Sequence, residues 1–148
     1  MEGDCIPDIN GQGVFVDMGQ YRSSDFLNVG DLANRTVKFD IRLNGCSGTV
    51  SNLVKVAFRG VTDRYFPEAF EARSINSEKE NSRESGIGLV IFDRNNNALR
   101  PNALPVSAYN LTGRENNTLT LTARYQKTAD AIIPGDLKTT IWFDLIYP

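Results

Sequence analysis

Apolar and polar positions alternate with a two-residue period along much of this chain, and no stretch sustains a helical period. That pattern predicts β-strands throughout. It is clearest over residues 138–148, where Thr139, Ile141, Phe143, Leu145 and Tyr147 share one side and Thr140, Trp142, Asp144, Ile146 and Pro148 the other. β-Branched and aromatic types dominate, so the eleven residues read as one strand with an apolar face and a mixed face. A strand this apolar at the end of a chain needs a neighbour to cover it.

The same alternation predicts four further strands. Over 36–44, Val37, Phe39, Ile41 and Leu43 face inward while Lys38, Asp40 and Arg42 face out. Val54, Val56 and Phe58 define a strand over 54–60, and Leu119, Leu121, Ala123 and Tyr125 define another. Residues 87–92 are apolar on both sides, the signature of a strand buried on both faces. A sixth, edge-like pairing is expected at 14–18, where Val14, Val16 and Met18 alternate. Residues 67–72 fit a helical turn or a short strand, 99–111 read as irregular, and the charge run at 78–84 reads as a solvated loop. Asp93 to Asn97 is a turn signal, and Pro134-Gly135 is expected to turn the chain into the final strand. Six principal strands joined by turns indicate an antiparallel β-sandwich, one strand short of an immunoglobulin-type fold.

Composition narrows the chemistry. The 148 residues make a single domain, 1–148, large enough for its own core. With no histidine, the Ser-His-Asp and Cys-His arrangements are excluded, and nothing suggests catalytic residues, a metal site or a cofactor. A net charge of −2 with scattered Lys and Arg gives no case for nucleic acid, and no apolar run reaches the length of a transmembrane helix. Paired carboxylates such as Asp17 with Asp25, or Glu68 with Glu71, are what eighteen acidic residues produce by chance. Gly86-Ile87-Gly88 lacks the third glycine and the following helix of a phosphate loop, and reads as a strand with close backbone packing. Trp142 reads as a packing residue rather than a sugar platform. Cys5 and Cys46 are either two free thiols or one bridge; each lies beside a strand in a turn-rich chain, which favours a disulfide and an oxidising compartment. Such a bridge is worth on the order of 4 kcal/mol in the chain-entropy model. Export requires a leader, and Met1-Glu2-Gly3-Asp4 is not one; the expectation is a processed start with Met1 added.

Taken together these features resemble the pilin subunits of chaperone–usher fimbriae. The carboxyl terminus carries the resemblance most specifically: Tyr147 is penultimate, Leu145, Phe143 and Ile141 alternate behind it, and Gly135 is fourteenth from the end. Cys5 and Cys46 match the family's disulfide, which joins the first strand to the end of the second, and 54–60, 86–93 and 121–125 resemble further strands of the family. The resemblance spans essentially the whole chain. It departs in one place, because pilins carry an alternating apolar extension ahead of the first cysteine and only four residues precede Cys5. The expectation is an extension absent or truncated.

The resemblance implies an all-β, incomplete immunoglobulin-like sandwich lacking its seventh strand, completed by a donor strand from another molecule. Ile141, Phe143, Leu145 and Tyr147 would then border the donor-strand and chaperone groove, with Gly135 at its start and the carboxylate of Pro148 in the chaperone's basic cleft. The implied partners are a periplasmic chaperone, an outer-membrane usher and neighbouring pilin subunits. The implied location is the periplasm in transit, then the extracellular fimbrium. The competing readings are the pilin domain of a two-domain adhesin and a complete secreted immunoglobulin-like module. The second is disfavoured because Trp142 follows both cysteines instead of lying between them.

Overall fold

The computed structural model describes residues 5–8, 14–48, 52–76, 81–105, 107–133 and 136–148. Ten strands occur among them: β1 (Ile6–Pro7), β2 (Val37–Asn44), β3 (Leu53–Arg59), β4 (Phe70–Asn76), β5 (Asn81–Phe92), β6 (Ala98–Leu99), β7 (Tyr109–Asn110), β8 (Asn117–Lys127), β9 (Asp136–Lys138) and β10 (Trp142–Ile146). The helical elements among these residues are two short 3-10 turns, Ser23–Asp25 and Cys46–Gly48. The strands form two sheets. The larger runs β1-β2-β8-β5-β4-β9, with β6 adding to β5, and the smaller runs β10-β3-β7.

Alternation sets which side chains meet. In the larger sheet Phe39 lies opposite Leu121 and Ile41 opposite Leu119, while Leu89 faces Tyr125 and Ile91 faces Ala123. These rows meet Val54, Val56 and Phe58 of β3 in one core. Leu119 and Leu121 on β8 are 1% and 0% exposed. Each aliphatic side chain buried so completely stabilises the fold by about 1.5–3 kcal/mol. β5 is buried on both faces as its sequence requires: Val90 and Phe92 form a second cluster with Ala69, against which Leu32 and Phe66 pack.

The glycines of 86–88 sit where side chains have no room. The β4–β5 register shifts between Ala72 and Arg73, so that Ala72 opposes Ile87 and Arg73 opposes Glu84. Ser85 and Gly86 are the surplus residues of this bulge. Gly86 takes φ +77°, and the carbonyl of Ala131 occupies the space a Cβ would need. The amides of Thr128 and Ala129 donate to the Gly86 carbonyl, which anchors the connection that follows β8. A Cβ on Gly88 would lie 2.8 Å from that of Ala69. Close backbone packing is therefore what these glycines provide.

Several expectations are corrected. The eleven-residue final strand is shorter than expected: of 138–148, Trp142–Ile146 form β10 against β3, while Lys138 is the last residue of β9, which pairs with β4 in the other sheet. The chain crosses between sheets around Thr140, whose carbonyl comes so near Gly60 that a Cβ there would lie 3.1 Å from it. The crossing is invisible in the pattern, since Leu137, Ile141, Phe143, Leu145 and Tyr147 pack against the same core on both sides of it. Residues 14–18 form no strand. The Asp17 carboxylate accepts the Gly19 amide at 2.9 Å, and Gly19 takes φ +80°, so a local turn ends the alternation. The sixth principal strand is instead β4, which resolves 67–72 in favour of a strand beginning at Phe70. The solvated loop expected over 78–84 is partly strand, because β5 begins at Asn81; polar residues there pair through their backbone with β4. The irregular stretch 99–111 contains the end of β6 and all of β7. The turn from Asp93 forms as expected, its Oδ1 accepting the amides of Asn95 and Asn97 at 2.9 Å.

Candidate functional site

Among the described residues β10 has one hydrogen-bonded neighbour, β3. Its register against β3 places Trp142 opposite Arg59, Phe143 opposite Phe58, Asp144 opposite Ala57, Leu145 opposite Val56 and Ile146 opposite Lys55. It stands at the end of the smaller sheet, so among the described residues its second edge carries no ladder. An unpaired edge leaves backbone donors and acceptors directed at whatever lies alongside.

Its inward row meets the core without being sealed by it. Phe143 and Phe58 approach with ring centroids 6.5 Å apart and tilted by 56°. Yet Ile141, Phe143, Leu145 and Tyr147 are only partly buried, whereas the residues of the neighbouring strand β3 on the same face, Val54, Val56 and Phe58, are buried. These are the four side chains that the resemblance implies border a groove, and the structure places them on one side of β10 and its flanks. Gly135 lies outside the described residues. Pro148 is exposed at the end of the chain.

The expected disulfide is present between Cys5 and Cys46. Cys5 immediately precedes β1, which pairs with the last two residues of β2, so the bridge closes the strand pair at its end. The Tyr147 hydroxyl points to the Cys5 carbonyl at 3.4 Å, a long contact that sets the end of the final segment beside the bridge.

The outward row of β10 was not legible as a unit. Trp142, read as packing, is 51% exposed, because it shares its parity with Asp144 and faces solvent. The Arg59 guanidinium lies 5.9 Å from the Trp142 ring centroid, and its Nε donates to Asp144 Oδ2 at 2.9 Å. The signal for this orientation was the mixed parity of the strand itself, in which Trp142, Asp144 and Ile146 alternate with the apolar row.

Among the described residues no three His, Cys, Asp or Glu side chains cluster as metal ligands would, and no helix is long and apolar enough to cross a membrane. A polar depression lined by Tyr21, Asp25, Asp31 and Arg35 lies where the segment before β2 folds over the sheet. There Arg35 stacks 4.8 Å from the Tyr21 ring centroid, and Tyr21 meets Tyr125 edge-on. Burial pushes the Tyr125 hydroxyl up to about 12, so this aromatic group stays neutral.

Comparison with known proteins places the chain. The family model for fimbrial protein matches residues 5–148. A fimbrin-like protein of Salmonella typhi, FimI, is 36% identical over 148 residues, which is 100% of this chain and 80% of that protein. The type 1 fimbrial subunit of Salmonella typhimurium is 33% identical over 132 residues, covering 89% of this chain and 69% of that protein. The solved P pilus rod subunit PapA superposes with a TM-score of 0.74 at 21% identity, over 97% of this chain and 99% of PapA, and so shares its fold. A half-sealed apolar row on a singly paired strand, in an all-β chain with this disulfide, is thus found within a known lineage: the chain belongs to the fimbrial protein family.

Proposed function

We propose that the open edge of β10 is where this fimbrial subunit accepts a β-strand from another molecule. As a member of its family the chain is a structural subunit of an extracellular pilus, and its work is assembly rather than catalysis. The observation that carries the reading is the one-sided ladder of β10 combined with the partial burial of Ile141, Phe143, Leu145 and Tyr147. A donor laid along that edge pairs with the backbone and drops alternate apolar side chains onto this row, which is β-strand addition.

Magnitudes favour an obligatory donor. Four or five apolar side chains buried at roughly 1.5–3 kcal/mol each give on the order of 6–15 kcal/mol gross. That equals the whole stability of a typical small domain. A periplasmic chaperone would supply such a strand first, and the extension of a neighbouring subunit would replace it at the outer-membrane usher. No external energy source is needed if the second strand fits better than the first. On this reading the Pro148 carboxylate, at the end of the segment, would meet a basic cleft of the chaperone.

The test is donor capture. The chain, refolded with a synthetic peptide of alternating apolar residues, should form a stable complex that survives size exclusion. Phe143→Asp should abolish it, since a carboxylate would be buried against Phe58. Equal capture by wild type and Phe143→Asp would remove β10 from the role assigned to it.

A further inference from the structure

β10 takes its place from β3, and a side chain holds the far end of β3. β7 pairs with Leu53 and Val54, the first two residues of that strand. At the other end Asn102 takes over. Its backbone amide donates to the Phe58 carbonyl at 2.8 Å, its Nδ2 donates to the Gly60 carbonyl at 3.0 Å, and its Oδ1 accepts the Gly60 amide at 3.0 Å. One side-chain amide thus supplies Gly60 with the pair of bonds that a neighbouring strand would give. Asn102 does so from φ +59°, left-handed backbone that asparagine adopts more readily than most residues.

Backbone groups along a strand alternate sides, so Phe58 and Gly60 face Asn102 while Ala57 and Arg59 face β10. Opposite them Trp142 and Asp144 turn their amides to β3, and Phe143 and Leu145 turn theirs to the open edge. Gly60 is therefore the last fixed point of β3 before its pairing with β10 begins at Arg59 and Trp142. Its face is confined as well: a Cβ there would lie 3.1 Å from the Thr140 carbonyl and 3.2 Å from the Phe70 ring. Resting on the reading of β10 as an acceptor edge, we infer that Asn102 is a positioning residue for donor capture. By clamping Gly60 it sets where the chain crosses to β10, and so how the backbone of Phe143 is presented to a donor. Without the clamp the Trp142 end of β10 frays, and a donor laid along it leaves about three- to tenfold faster, the effect of roughly one net hydrogen bond.

The experiment times donor release. The full chain is refolded with a synthetic peptide of alternating Val and Thr, and the bound peptide is chased with a labelled excess. Asn102→Gly keeps the left-handed backbone and removes the clamp; it should release the peptide about three- to tenfold faster than wild type. Asn117→Ala removes a comparable clamp beside β8, where Oδ1 accepts the Thr112 amide and Nδ2 donates to the Arg114 carbonyl. It should lose similar stability in urea and release the peptide at the wild-type rate, which separates positioning from general loosening. Wild type gives a second reading that needs no variant. Coupling is reciprocal, so donor binding should slow hydrogen exchange at the Gly60 amide by a similar factor and leave the Thr112 amide unchanged. Release from Asn102→Gly at the wild-type rate, equal acceleration by Asn117→Ala, or a Gly60 amide that exchanges alike with and without donor overturns the inference and leaves the acceptor edge intact. Failure of wild type to capture the peptide overturns both.

Discussion

β8 and β10 are written in the same alternating code and end in opposite circumstances. β8 is bonded on both edges, to β2 and β5, and its Leu119, Leu121, Ala123 and Tyr125 are all buried. β10 is bonded on one edge, to β3, and its Phe143 and Leu145 are only partly buried. The difference is in what stands alongside. Among the described residues an apolar row has a paired strand on each side in the first case and on one side in the second. Alternation therefore reports which face of a strand is inward, and says nothing of whether the inward face is closed.

The contrast can be broken most severely by truncating one leucine on each strand. Leu121→Ala should cost about 2–5 kcal/mol of unfolding free energy whether or not a donor peptide is bound. Leu145→Ala should cost clearly less in the donor-free chain, where its site is already half open, and more once the donor closes over it. Urea denaturation of both variants with and without peptide gives the four values. If Leu145→Ala costs the same in both states, β10 is already sealed.

A smaller change sharpens the comparison from the closed side. Burial alone would raise the Asp93 carboxyl, but the amide of Asn97, the Ser107 hydroxyl and the amide of Asn95 outweigh it and hold the group below its ordinary range. A depressed native pKa contributes stability that is present above the unfolded value and is lost as pH falls through the native one. Asp93→Asn should therefore destabilise by about 1–2 kcal/mol at neutral pH. The gap from wild type should close below about pH 4. Because this turn follows β5 in the larger sheet whereas the donor edge is on β10 in the smaller, the penalty should not depend on peptide. Thermal melts across that pH range, with and without peptide, check both statements.

Much of this was legible in the chain. The inward rows of β2, β3 and β8 follow from their alternation, and the doubly buried part of β5 follows from Ile87 to Phe92 being apolar on both sides. The shortfall of one strand pointed to an open sandwich. What escaped has a common physical origin in backbone pairing, which side-chain pattern does not encode. Asn81 to Glu84 pair with β4 although their side chains are polar. Val14, Val16 and Met18 alternate, yet the Asp17–Gly19 turn denies them a partner. The final segment keeps its parity while changing sheets around Thr140, so the strand read over 138–148 narrowed to β10, with Lys138 left in β9. The shared inward row of Ile141, Phe143, Leu145 and Tyr147 was readable because they lie on one parity; Trp142, on the other parity, was read as packing and is half exposed, and Asp144 beside it was not singled out.

The most direct measurement is amide hydrogen exchange across β10, Trp142–Ile146, in the full chain with and without a donor peptide. Amides directed at β3 should be protected in both states. Alternate amides directed at the free edge should exchange rapidly alone and slow by orders of magnitude on donor binding, while those of β8 remain unchanged. Uniform protection of β10 in the donor-free chain, unaffected by peptide, would contradict the account.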